Sequence, residues 1–170
     1  MSLLKYRERI HTECSLIGKP VLNVKAIKVD ANGKSLKQQL GCKSLKSCDY
    51  FKFKKNNIYF IEISDFDEQL INLSKKDLLK DEKTYIKMEI KLKISDSLLI
   101  YEQLITKYYI NSKNKSLKKK VWLTTCKERE KDMVTFAFLE RELSRSYTPL
   151  HFAQVKVVPY TWLEKLSTIK

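Results

Sequence analysis

Two acids stand thirteen residues apart, Asp49 and Glu62, one on each side of a turn-like stretch. Segments 47–53 and 58–64 are rich in aromatic and β-branched residues, and Lys54-Lys55-Asn56-Asn57 separates them, which is the pattern of an antiparallel hairpin. If the loop is residues 54–57, Phe53 faces Ile58 and Asp49 lies directly opposite Glu62. If the turn is Asn56-Asn57 alone, the two acids become diagonal neighbours. Either even loop keeps both carboxylates on one face, and an odd loop separates them. Opposed Cβ atoms lie about 4.5–5.5 Å apart, where like charges are destabilising. Next to Phe51 and Phe60, such a pair needs a shared proton, a basic side chain or a divalent cation. Mg²⁺ is commonly held by one or two carboxylates, with phosphate and water completing its shell. The plainer alternative is a pair of ordinary strand-end acids bridged to neighbouring lysines.

The elements around the pair follow from periodicity and breakers. Leu3, Tyr6, Ile10, Cys14 and Ile17 predict an amphipathic helix over 3–17, ended by Gly18 and Pro20. Residues 21–29 predict a strand, and the turn residues 30–33 lead through a hairpin towards Leu40. In the central hairpin Phe51, Phe53, Ile58 and Phe60 share one face, while Tyr50, Tyr59, Ile61 and Ile63 share the other. A ribbon apolar on both faces belongs in the middle of a covered sheet. Residues 65–82 read as an acidic loop with a short helix. A long helix is expected over 82–108, its stripe being Ile86, Ile90, Ile94, Leu98, Tyr101 and Ile105. After a polar linker at 111–116 come a strand over 121–126, a helix over 133–143, a strand over 152–158 closed by Pro159, and a short helix over 161–166. The fold class is therefore α/β, a mixed β-sheet flanked by helices, in a single domain spanning 1–170. Residues 131–170 are expected to pack on a core formed by about 3–126.

Charge suggests the partner. The chain of 170 residues carries 34 Lys and Arg against 20 Asp and Glu, a net charge of +14. Residues 1–57 hold 13 basic and 4 acidic side chains and 83–170 hold 18 and 9, whereas 58–82 hold 3 and 7, so an acidic zone interrupts a basic surface. Such an excess attracts phosphate backbones by steering and counterion release, or serves as a solubility surface. Lys113, Lys115, Lys118, Lys119 and Lys120 form a run before Trp122. With Lys54 and Lys55 they are candidate phosphate contacts, and Tyr108, Tyr109 or Trp122 are available for base stacking. The bland readings are a solvated loop and a core tryptophan. Arg141 and Arg145 share a helical face but have acidic neighbours. No apolar window is long enough to cross a bilayer, and residues 2–17 are broken by charges, so a cytoplasmic protein without a membrane partner is expected. The four cysteines, Cys14, Cys42, Cys48 and Cys126, form no CxxC motif, and His11 and His151 stand far apart, a reduced usage with little zinc character. Glycine-rich nucleotide loops, HExxH and GxSxG are all absent from the sequence.

The segments Ser47-Cys48-Asp49-Tyr50-Phe51 and Ile58-Tyr59-Phe60-Ile61-Glu62-Ile63-Ser64, with a helix before and a long helix after, resemble the core of the PD-(D/E)xK, or restriction-endonuclease-like, nuclease superfamily. The resemblance spans roughly residues 3–126 and lies in pattern and element order. It implies an α-β-β-β-α-β core, with Asp49 and Glu62 binding Mg²⁺ or Mn²⁺ and a lysine steadying the attacking water. The motif lysine is replaced by Ser64, and serine supplies no cation. The resemblance allows the lysine to come from elsewhere. Lys87 and Lys91 are the leading candidates, with Lys93 on the same helix and Lys54 and Lys52 on the hairpin behind them, Lys52 being the poorest because strand alternation turns it to the opposite face. It also implies a third acid from the first helix, Glu13 before Glu8. The implied activity is metal-assisted hydrolysis of phosphodiester bonds, in DNA rather than RNA. The alternatives are a non-catalytic nucleic-acid-binding or assembly protein on the same scaffold, and a basic adaptor for an acidic protein. A homodimer or larger complex is left open.

Overall fold

The computed structural model describes residues 3–11, 21–31, 35–64, 82–108, 117–125, 130–148 and 151–167. Their centre is a six-stranded mixed sheet in sequential order: β1 (Arg7–His11), β2 (Val21–Lys28), β3 (Tyr50–Lys54), β4 (Asn57–Ser64), β5 (Lys118–Thr125) and β6 (Gln154–Pro159). The first four strands are antiparallel neighbours, and β4, β5 and β6 run parallel. The long helix α2 (Glu82–Lys107) connects β4 to β5, and α3 (Glu130–Tyr147) connects β5 to β6. Parallel neighbours require a crossover of this kind, and both helices were expected from their apolar spacing. β6 extends the same sheet as the hairpin, so the C-terminal elements complete the layer.

Alternation along the central strands builds two apolar layers. On one face Phe51, Ile58, Phe60, Val121 and Leu123 pack against Ile86, Ile90, Ile94, Tyr101 and Leu104 of α2 and Leu143 of α3. On the other face Tyr50, Tyr59, Ile61 and Trp122 pack with Ile10, Val24 and Val158, covered by Leu163 and Leu166 of a 3₁₀ turn over Tyr160–Leu166. Trp122 is a core residue, 5.1 Å from the Tyr59 ring between centroids. Phe60 anchors the first layer, with Phe51, Phe152 and Tyr101 around it at centroid distances of 4.8, 5.3 and 5.6 Å.

Two expected elements are corrected. The helix over 3–17 is not found in its described part, which is a 3₁₀ turn at Leu3–Tyr6 running into β1. Only Ile10 of β1 is buried, and the strand is held by its ladder to β2, so tertiary pairing overrides the three- and four-residue spacing. Residues 12–20, which include Glu13 and Cys14, lie outside the described residues, as do the acidic segment 65–81 and the linker at 109–116. The second correction concerns the hairpin leading towards Leu40. A one-turn helix α1 (Leu36–Gln39) stands there, its amide at Gln38 capped by the Ser35 hydroxyl at 3.3 Å. Gly41, at φ +77°, ends it in the left-handed conformation that a Cβ would penalise.

Packing of this density predicts a sharp contrast. Phe60→Ala should cost about 3–5 kcal/mol by deleting a fully buried ring, whereas Leu99→Ala on the exposed side of α2 should stay within about 0.5 kcal/mol. Urea denaturation of the two variants measures both.

Candidate functional site

The hairpin turn is Lys55-Asn56, with Lys54 paired to Asn57, Phe53 to Ile58 and Tyr50 to Ile61. That is the register in which Asp49 falls opposite Glu62. Asp49 precedes β3 and is tied to the strands on both sides. Its carbonyl accepts from the Val29 amide at 2.9 Å, and its carboxylate accepts from the Ile63 amide at 2.8 Å. The segment leading into it is held by α2: the Lys46 amide donates to Asp96 at 2.9 Å, the Cys48 amide donates to the Ser97 hydroxyl at 2.7 Å, and the Lys46 ammonium reaches Glu89. One face of α2 thus fixes the approach to Asp49.

The same helix delivers the cation. Lys93 Nζ lies 2.5 Å from Glu62 Oε1, and the Ser64 hydroxyl donates to that oxygen at 3.1 Å. The Glu62 side chain is 2% exposed and its Oε2 has no hydrogen-bond partner among the described residues. The Glu62 carbonyl accepts from the Thr124 hydroxyl at 3.1 Å, which fastens the strand end to β5. Burial, and then the charge of Asp49, push the Glu62 carboxyl up to about 8 against the pull of Lys93 and Ser64. Burial depresses the Lys93 ammonium, but Glu62, Asp49 and Glu89 outweigh it and hold its pKa above the ordinary lysine value. Within the pair burial weighs most on the sealed Glu62, whose carboxyl is raised, while the part-exposed Lys93 is held in its charged form. Burial foremost pushes the adjacent Cys48 thiol far up, so it serves as a packed, inert side chain.

Lys87 and Lys91, the leading candidates for the missing motif cation, do not reach the acids. Lys87 pairs with Glu142 of α3 at 3.8 Å, and Lys91 lines a separate groove beside Tyr85 and Tyr147. Both follow a core isoleucine by one position, whereas Lys93 precedes Ile94 and so sits on the opposite flank of the stripe, together with Glu89 and Ser97. The flank facing the end of β4 could not be chosen without the packing direction of α2. Lys52 points away and donates to the Lys25 carbonyl at 2.7 Å. Glu8 accepts from the Tyr50 hydroxyl on the other side of the sheet. Glu13 lies outside the described residues.

The candidate phosphate contacts gather at the other end of the sheet. Lys54 and Lys55 flank the hairpin turn, and Lys118, Lys119 and Lys120 open β5 beside it. Five residues of β4 separate this end from Glu62, roughly 16 Å. Several of these lysines are engaged: Lys54 donates to the Lys165 and Ser167 carbonyls, Lys119 pairs with Glu102, and Lys120 lies over the Tyr59 ring. Lys113 and Lys115 lie outside the described residues. Arg141 stacks on Phe138, and Arg145 pairs with Glu142.

The donor set fits one hard divalent cation. Asp49 and Glu62 stand opposite one another in the hairpin register and interact electrostatically, and the buried Glu62 Oε2, without a hydrogen-bond partner among the described residues, is an atom such an ion would satisfy. Among the described residues no group of three or more His, Cys, Asp and Glu side chains is arranged to hold a metal, so from these residues alone an ion would take two carboxylates and need water or phosphate oxygens besides. Among the same residues, no helix is long and apolar enough to cross a membrane. Comparison with protein-family models, with curated proteins and with solved structures gives no match.

The raised Glu62 pKa gives a signed expectation. In EDTA the folded protein holds the Glu62 proton to higher pH than the unfolded chain does, so this group's contribution to stability is largest below the usual carboxylate range and falls as pH rises towards about 8. Chemical denaturation of wild type and Glu62→Gln at pH 5 and pH 8 should show a smaller drop in the variant. Mn²⁺ or Mg²⁺ binding should tighten over the same interval and release a proton, which calorimetry in buffers of different ionisation enthalpy reads directly.

Proposed function

We propose that this chain is a metal-dependent, nuclease-like hydrolase of phosphodiester bonds, acting on DNA before RNA, with Asp49, Glu62 and Lys93 as its working groups. One observation carries the reading: a lysine ammonium against Glu62, electrostatically coupled to Asp49, where the motif position itself offers only Ser64. A buried acid pair without a cation would suit a binding scaffold. A cation beside both acids suits chemistry on a phosphate.

Element order supports the same reading. The order β2, β3, β4, α2, β5 is compatible with the strand and crossover portion expected of a restriction-endonuclease-like core, with a one-turn helix inserted between β2 and β3. Asp49 and Glu62 would hold Mg²⁺ or Mn²⁺, which when bound polarises a phosphoryl oxygen and lowers the pKa of a water. The Ile63 amide donates to the Asp49 carboxylate and so orients it at the strand end. Lys93 keeps one Glu62 oxygen occupied, which orients the other, and its protonated amine would stabilise charge building on the phosphate. Ser64 contributes orientation of Glu62 rather than charge.

A second reading, a non-catalytic nucleic-acid-binding or assembly protein on the same scaffold, is favoured by the depth of Glu62, which is 2% exposed. An acid so enclosed could be a structural ion pair with Lys93.

The test incubates plasmid, linear duplex, single-stranded DNA and RNA with protein in Mg²⁺ or Mn²⁺. Asp49→Ala and Glu62→Ala should abolish cleavage, Lys93→Ala should lower kcat by about 100-fold or more, and Lys87→Ala and Lys91→Ala should cleave near the wild-type rate. Cleavage that survives the first three substitutions sinks the site. Salt-sensitive retention of DNA without cleavage under either metal favours the second reading.

A further inference from the structure

β2 and β3 pair through Ile27 with Phe51 and Lys28 with Tyr50. Towards the hairpin turn that ladder stops, and a cavity of about 470 Å³ lies between Lys25 and Ala26 on one side and Lys52 and Phe53 on the other. This size is within the range of small-ligand sites. Among the described residues its charged lining is all of one sign, Arg7, Lys25 and Lys52, with no carboxylate. Lys52 is 6% exposed and its ammonium is bonded to the Lys25 carbonyl rather than to an acid. Burial, and then the charges of Arg7 and Lys54, press its pKa below the ordinary lysine value. Uncompensated cations at a buried position are costly, and an anion seated among them would relieve that cost.

The remaining walls specify more than a bare anion. Of the aromatic lining Phe51 is fully buried, whereas Phe53 and Tyr108 are part-exposed, and these two with Leu3 and Leu4 would stay in contact with water around a small inorganic ion. A ligand that fits both parts carries a phosphate for Arg7 and the two lysines and a flat, weakly polar group for the aromatic wall. We propose that the split between β2 and β3 is a binding site for a nucleoside phosphate, either a free nucleotide or the phosphorylated end of a strand. The cleft stands three residues along β3 from Asp49, roughly 10 Å away, and uses none of the candidate metal ligands.

Calorimetric titration of the full chain in EDTA tests this without metal-dependent cleavage, so its failure leaves the Asp49, Glu62 and Lys93 reading untouched. Adenosine 5′-monophosphate should bind saturably. Adenosine and inorganic phosphate should each bind about tenfold or more weakly by comparison, and Lys52→Met and Arg7→Gln should each weaken the nucleotide by about tenfold or more. A short single strand with and without a 5′-phosphate separates the two sources: tighter binding of the phosphorylated strand than of the mononucleotide assigns the site to a strand end, and the reverse order assigns it to free nucleotide. Should Lys52→Met fail to fold by thermal melting, the exposed Arg7→Gln decides alone. Absence of saturable nucleotide binding overturns the proposal, as does affinity unchanged in Arg7→Gln or inorganic phosphate binding as tightly as the nucleotide.

Discussion

Glu62 is a carboxyl group taken out of water at the end of a central strand, and much of the surrounding geometry follows from what keeps it there. A lone buried carboxylate is untenable, so the chain must neutralise it, pair it or coordinate it. Lys93 pairs one oxygen, Ser64 shares that oxygen, and the other oxygen has no partner among the described residues. Asp49, beside it, opposes ionisation. On the proposed reading a bound cation would relieve that opposition; without one, Lys93 alone offsets it, as in a structural ion pair.

Helix α2 is therefore more than a crossover. Ile86, Ile90 and Ile94 seat it on Phe51, Ile58 and Phe60, while Glu89, Lys93, Asp96 and Ser97 on the neighbouring flank grip the approach to Asp49 and the side chain of Glu62. Core packing and site assembly are coupled through one rigid element. A slip of the helix by one position would replace Lys93 with an isoleucine or a leucine, and both carboxylates would lose their cation.

What could be read from the residues divides along the range of the interactions that decide them. The hairpin and the shared face of its two acids are legible because aromatic alternation and a short polar turn are local, although two registers stay open until the strands pair, and α2 is legible because 26 residues sustain one stripe. The fate of residues 3–11 was not, because a spacing that suits a helix is also compatible with a 3₁₀ turn and an edge strand once β2 is available to pair. Lys93 was among the possible cations but behind Lys87 and Lys91. The three differ only in rotation about one helix axis, and that rotation is set by long-range packing. The split between β2 and β3 has no local signature at all.

These features place two kinds of positive charge at two ends of one sheet. At the Glu62 end the cation is matched to acids and its position is fixed to within a hydrogen bond. At the hairpin end Lys52 and Arg7 have no acid partner among the described residues, and Lys55 and Lys118 are exposed. A polyanion would be drawn first to the unmatched charges, since only these contribute to the long-range field. Lys93, neutralised by its neighbours, contributes little until a phosphate is close. On the proposed reading, attraction and local stabilisation of charge would fall to different residues, and a net charge of +14 is compatible with a site whose own electrostatics are nearly balanced.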